Sequence, residues 1–211
     1  MLLNGIVETL YMTGVSTLVG YMFGLPMGVL MAVTADDGIK PNKFLYKILD
    51  VVANVVRSIP FLILLILLIP FTRIVAGRSF GPTAAIVPLV AAAIPFIARM
   101  IESSIREVDT GVIEAARSMG AGTSTIIIRV LLVEARTSLI LGATIALGTI
   151  LGYSSMAGIV GAGGLGDIAI RYGYYRYQND IMIVTVILLI ILVQVFQTVG
   201  SKLSVRLDKR K

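Results

Sequence analysis

Charged residues are so sparse along this chain that they cut it into long apolar stretches. Thr9 to Ala35, Ser79 to Ala98, Thr137 to Gly166 and Ile181 to Ser201 carry no charge, and a fifth stretch between Asp50 and Arg73 is interrupted only by Arg57. A helix of about 20 apolar residues, rising ~1.5 Å per residue, crosses the ~30 Å hydrocarbon layer of a bilayer. The pattern therefore predicts an all-α integral membrane protein, a single domain over residues 1–211, with five transmembrane helices near 9–35, 50–73, 79–98, 137–160 and 181–201. Residues 99–136 form the one long loop. Pro26, Pro60, Pro70, Pro88 and Pro95 lie in or beside these spans and favour kinks. Gly20, Gly24 and Gly28, and likewise Gly148 and Gly152, recur at four-residue spacing, the pattern that lets another backbone approach one helix face.

Composition narrows the chemistry. Of 211 residues, 57% are hydrophobic and 14% charged, too few charges for a soluble surface. There is no His and no Cys, which removes imidazole bases, thiolate nucleophiles, zinc fingers and disulfides. The net charge of +6 is better explained by basic loops on one side of a membrane than by nucleic acid. Fourteen of the 18 basic residues fall on one side: Lys40, Lys43, Lys47 and Arg57; Arg99, Arg106, Arg117, Arg129 and Arg136; Lys202, Arg206, Lys209, Arg210 and Lys211. Arg73, Arg78, Arg171 and Arg176 fall on the other. Lys and Arg of short loops stay in the cytoplasm, so the N-terminus is expected outside and both the 99–136 loop and the C-terminus inside. No Lys or Arg precedes Lys40, so the first span lacks the basic start of a signal peptide and is expected to be retained.

The long loop contains the most informative run, Asp109-Thr-Gly-Val-Ile-Glu-Ala-Ala-Arg-Ser-Met-Gly120. It predicts a helix from Val112 to Met119, about 12 Å long, capped by Gly111 or Thr110, with Glu114 in its positive first turn and Gly120 as a left-handed stop. Val112, Ala115, Ala116 and Met119 are placed on one face, with Glu114, Arg117 and Ser118 more peripheral. Such a helix can lie on the bilayer, pack on its own bundle, or dock in a partner's groove.

Glu114-Ala115-Ala116, three residues and Gly120 resemble the first half of the signature of EAA-loop permease subunits of ABC importers. In the second half Val130-Leu131-Leu132-Val133 stands where the family has Ile-x-Leu-Pro, and the missing proline predicts a smoother helix into the fourth span. The resemblance narrows to methionine-importer permeases through Arg57-Ser-Ile-Pro60-Phe-Leu-Ile, Ile69-Pro70-Phe-Thr-Arg73, Gly81-Pro82-Thr-Ala-Ala-Ile-Val-Pro88, Gly152-Tyr-Ser-Ser-Met156-Ala-Gly158, Val160-Gly-Ala-Gly-Gly-Leu-Gly-Asp167 and Arg171-Tyr-Gly-Tyr. It implies a homodimer in the bacterial cytoplasmic membrane, two ABC ATPase subunits docked on Glu114, Ala115, Ala116, Arg117, Ser118, Met119 and Gly120, and an external methionine-binding lipoprotein. A permease for another small amino acid or osmolyte is the nearest alternative. The chain carries no Gly-x-x-x-x-Gly-Lys-Ser/Thr loop, so no cofactor is expected in it, and ATP and magnesium belong to the partner ATPases.

Other features fit this division of labour. Gly161-Ala-Gly163-Gly-Leu-Gly166 has the form G-x-G-x-x-G but follows an apolar span rather than a strand, so it is expected to be a packed or flexible helix exit and not a dinucleotide cradle. Tyr172, Tyr174, Tyr175 and Tyr177 beyond it suit an interfacial aromatic belt or contact with the external protein. Arg57, costly by about 2.5–3.5 kcal/mol at mid-bilayer, is expected near the inner boundary or paired. No carboxylate lies mid-span to relay protons. Glu102 and Arg106 are expected as a surface pair, which leaves a lipid-modifying enzyme without a base or metal cluster and a passive channel without a reason for a docking helix. The fourth span is rich in small residues, and Ser154, Ser155 and Met156 are its candidate gate.

Overall fold

The computed structural model describes residues 1–207. The tail cations Lys209, Arg210 and Lys211, counted above with the inner loops, lie outside the described residues. No strand occurs among the described residues. Helix α1 (Leu2–Thr34) runs through Pro26 without a break, and four helices among the described residues are each long and apolar enough to span a bilayer.

The second stretch departs from expectation. Instead of one helix over 50–73 there are three pieces: α2 (Lys43–Ser58), α3 (Phe61–Leu67) and α4 (Ile69–Ala76). Asn42 caps α2, its side-chain oxygen accepting from the Leu45 N–H at 3.0 Å. Pro60 forces Ile59 into an extended conformation (φ −81°, ψ 123°). The chain consequently turns by 100° between α2 and α3. Pro70 sits at the first turn of α4, where its missing N–H costs nothing. Helix α2 is amphipathic, exposing Phe44, Ile48, Val51, Val52 and Val55 along one side and burying Ala53.

Helix α5 (Pro82–Arg106) contains Pro88 and Pro95 and packs extensively on α1. The glycines of α1 make that contact possible. A Cβ on Gly20 would lie 2.9 Å from Ala93 and Ile97, and one on Gly24 would lie 2.9 Å from the Ile94 carbonyl oxygen. One on Gly28 would strike the Ala98 carbonyl and come within 2.8 Å of Ile101. Helix α2 crosses α5 steeply: Tyr46 meets Glu102 while Asn54 meets Arg99, so about 12 Å along α2 corresponds to about 4.5 Å along α5.

After α6 (Thr110–Ser118) come α7 (Thr123–Thr125), a π-helical turn over Ile126–Leu131, and α8 (Leu132–Glu134). Ala135 then breaks the path before α9 (Arg136–Ala157). Val133 lies within α8, and the irregularities on the way into α9 are the wide turn before it and the single turn residue Ala135 after it, whose N–H still bonds the Leu131 carbonyl at 2.9 Å.

At the other end of α9, Gly161, Gly163 and Gly164 all adopt positive φ (78°, 85° and 75°). The turn folds α10 (Gly164–Ile168) back against α9 so closely that a Cβ on Gly166 would strike the Ser155 backbone. The amides of Gly164 and Leu165 donate to the Glu8 carboxylate (2.7 Å) and the Thr9 hydroxyl (2.9 Å) of α1. The G-x-G-x-x-G run is thus a packed exit whose amides are already used. Helix α11 (Asn179–Leu207) closes the chain and packs on α9 where Gly200 meets Thr144. Before it, Tyr174, Tyr175 and Tyr177 are exposed, while the Arg176 guanidinium lies 4.7 Å over the Tyr172 ring.

Candidate functional site

Helix α6 starts earlier than predicted and has a different cap. Asp109, not Thr110 or Gly111, is the N-cap, and its carboxylate accepts from the Gly111 N–H at 2.7 Å. Starting at Thr110 leaves Glu114 beyond the first turn, so the helix-dipole role expected of it does not apply. Gly120 does end the helix in the left-handed conformation (φ 80°), and the Ala121 N–H closes the turn on the Ala116 carbonyl at 3.0 Å.

The two sides of α6 differ from the expected division. Ala116 is buried and Ile113 half-buried against the bundle. Val112, Glu114, Ala115, Ser118 and Met119 face out, with Met119 81% exposed. Ala116 therefore parts from Val112, Ala115 and Met119, because the buried side is centred between positions 113 and 116. Arg117 is exposed, but its guanidinium is engaged within the subunit: it donates to the Ile39 carbonyl at 2.8 Å, tying α6 to the segment joining α1 and α2. The Ser118 hydroxyl donates to the Glu114 carbonyl at 3.0 Å. What remains outward is a surface of small and apolar side chains with one carboxylate.

Behind this surface lies an ionic network that the expected surface pair did not foresee. Glu102 is 4% exposed and accepts from Arg99 (2.7 Å) and the Tyr46 hydroxyl (3.0 Å), with Arg106 at 3.7 Å. Arg99 also binds Asp50 and, at 2.9 Å, Asn54 on α2; Arg106 donates to Asp37 at 2.9 Å. A buried carboxylate is retained only when charge and hydrogen bonds compensate its desolvation, and here two donors and a further cation do so. The network joins the end of α5, helix α2 and the 35–42 segment, the same segment that Arg117 holds.

The three gate candidates do not share one surface. Ser154 is 1% exposed and its hydroxyl donates to the Leu151 carbonyl (2.8 Å); Ser155 is half-buried and bonds the same carbonyl (3.1 Å). Met156 is 49% exposed and continues a stripe of Leu141, Ile145, Gly148, Gly152 and Ile159 along α9. Nothing lies within 4 Å of a Cβ built on Gly148 or Gly152. Beside the stripe, Tyr153 stacks on Phe61 of α3, ring centroids 4.5 Å apart and planes within 7°. Among the described residues no three of His, Cys, Asp and Glu converge to hold a metal ion.

Residues 24–211 match the family described as binding-protein-dependent transport system inner membrane component. A Vibrio cholerae protein named probable D-methionine transport system permease protein is 49% identical over 210 residues, spanning 100% of this chain and 93% of that one. A Bacillus subtilis methionine import system permease protein is 43% identical over 207 residues, 98% of this chain and 93% of the relative. Among solved structures, a chain of the MetNI methionine ABC transporter in an inward-facing conformation superposes with TM-score 0.97 at 48% identity, over 99% of this chain and 97% of that one. A chain from an amino acid ABC transporter crystallised with histidines shares the fold, with TM-score 0.80 at 22% identity over 97% and 93% of the two chains.

Proposed function

Because the chain belongs to the family of inner membrane components of binding-protein-dependent transport systems, we propose that it is the permease subunit of an ATP-driven methionine importer. The observation that carries this reading is the full-length likeness, in sequence and in fold, to permeases of methionine transporters. Two copies form the membrane pathway in the cytoplasmic membrane, two ATPase subunits bind inside, and a binding lipoprotein delivers methionine from outside. The N-terminus lies outside, α1, the α3–α4 pair, α5, α9 and α11 make the five crossings, and α2 lies along the inner boundary.

The geometry gives this reading a mechanism. The outward face of α6, with Glu114, Ala115 and Met119, seats in a groove of the ATPase. Closure of the ATPase pair around ATP moves that groove, and the pins from Arg117 to Ile39 and from Glu102 to Tyr46 carry the displacement into α2 and α5 as one body. The Met156 stripes of two copies face one another and close or open the route by rigid-body rotation. No covalent step occurs in this subunit.

The test is uptake of labelled methionine into vesicles holding the permease, its ATPase and the binding protein. ATP-dependent accumulation is expected, and its absence with a folded, assembled complex rejects the substrate. Orientation is checked separately in this Cys-free chain: a cysteine at Tyr175 reacts with an impermeant maleimide in sealed cells, and one at Thr123 reacts only after permeabilisation. The reverse pattern inverts the topology.

A further inference from the structure

We propose that Arg57 and the aromatic pocket beside it form a transient binding site for the transported amino acid within the subunit, the guanidinium holding the α-carboxylate. The proposal rests on the methionine-importer reading and deepens it. The pocket, about 170 Å³, lies where α2 breaks into α3 and is walled by Arg57, Phe61, Leu64, Ala92, Phe96 and Tyr153. That is far more room than the ~10–15 Å³ that a single water needs.

Three observations converge on a ligand of this chemistry. Arg57, in the last turn of α2, has no carboxylate within ion-pair distance among the described residues, unlike Arg99, Arg106 and Arg171. A guanidinium left with a full set of donors beside a pocket suits a bidentate carboxylate. Most of the other walls are apolar or aromatic: Phe96 and the stacked pair Phe61 and Tyr153 offer ring faces and edges to a thioether, and π-faces to an α-ammonium group. A mostly apolar cavity with one fixed charge is also the usual form of a small-molecule site. Its position fits transit: Tyr153 adjoins Gly152 on the open stripe of α9, so a molecule leaving the pocket emerges beside Met156.

The permease–ATPase complex, in nanodiscs of zwitterionic lipid and without binding protein, is titrated with radiolabelled methionine against unlabelled methionine or methionine amide. Methionine is expected to compete at least tenfold better than the amide, which lacks the carboxylate. Arg57→Gln, verified as assembled by co-purification of the ATPase, is expected to weaken methionine at least tenfold and erase that preference, whereas Arg57→Lys keeps part of it. The site is overturned if the wild-type complex does not discriminate, if assembled Arg57→Gln binds as tightly, or if a complex that imports methionine shows no saturable binding. The wild-type comparison decides the matter even where Arg57→Gln fails to assemble. A complex that imports another amino acid but not methionine rejects the substrate reading alone, and the carboxylate test is then made with that amino acid and its amide.

Discussion

Two glycine ladders of the same four-residue spacing meet opposite surroundings in this subunit. Gly20, Gly24 and Gly28 of α1 are buried, and a methyl group on any of them would collide with α5. Gly148 and Gly152 of α9 open onto empty space, and Gly148 lines a volume of about 470 Å³ between α9 and α11. The difference teaches what an open face means in a membrane. An exposed Leu or Ile needs no partner there, since lipid tails are as apolar as its side chain. A glycine notch is another matter, because it gives up side-chain packing and is useful only where something approaches closely. The α1 ladder is filled by its own chain, and the proposed mechanism leaves the α9 ladder for a second copy. The outward side of α6 belongs with the open class: it too is small, apolar and without a neighbour.

The strongest way to break this comparison is to fill both notches with the same side chain. Gly28→Leu forces a branched side chain against the Ala98 backbone and Ile101, and overpacking of that kind reaches or exceeds about 3 kcal/mol where backbone must move. The variant should fail to accumulate as a folded membrane protein. Gly152→Leu should leave the stability of the isolated subunit within about 0.5 kcal/mol, as exposed substitutions do, while reducing crosslinked dimer. Thermal unfolding in detergent and dimer crosslinking read the two effects. Equal loss of subunit stability in both variants would erase the distinction between the ladders.

A second, smaller effect sharpens the α6 side. Glu114→Lys combined with Ala115→Asp changes two outward residues and touches none of the inward contacts of Ile113, Ala116 or Arg117. The variant should insert and fold normally but no longer retain the ATPase in a pull-down. Normal retention would mean that α6 is not the docking element.

How much of this was legible beforehand follows from how local each feature is. The charge-free stretches located four helices, since a span is a property of consecutive residues, although α1 starts well before Thr9 and α5 runs on past Ala98 to Arg106. Where the charges of Lys43, Lys47, Asp50 and Arg57 interleaved with apolar residues, the C-terminal part of amphipathic α2 was read into one continuous helix with α3 and α4, which the 100° turn divides. Pro60 was visible, but whether a proline kinks a helix, as Pro26, Pro88 and Pro95 allow, or divides it depends on the neighbours that re-satisfy its backbone. The Gly120 stop was read correctly because it is a local conformational demand. The Glu102 network was beyond reach, its partners Asp50, Tyr46 and Asp37 lying 49 to 69 residues from the arginines and glutamate they bind. The different exposure of Ser154 and Met156 was not legible because α9 is small and apolar on both sides, so no periodicity separated the side facing α1 and α5 from the side facing out.

The smallest expected effect comes from the side chain at the end of the open ladder. Met156 is half exposed and lies one turn past Gly152, so in a dimer facing along α9 two Met156 side chains meet and block the channel that the glycines leave. Met156→Ala removes the plug at little cost to the subunit, because the lost contacts are across the notch rather than within the bundle. Methionine leak in the absence of ATP, or ATPase activity without binding protein, should rise several-fold. Met156→Leu should be nearly silent, since swaps of similar volume cost under about 1.5 kcal/mol. Ser154→Ala is the internal comparison: its hydroxyl is satisfied by Leu151 of its own helix, and transport should not change. Vesicle uptake and ATPase rates for the three variants decide the assignment. If Met156→Ala keeps tight coupling, or fails only because the dimer separates, Met156 is a packing residue and the barrier lies elsewhere on the stripe.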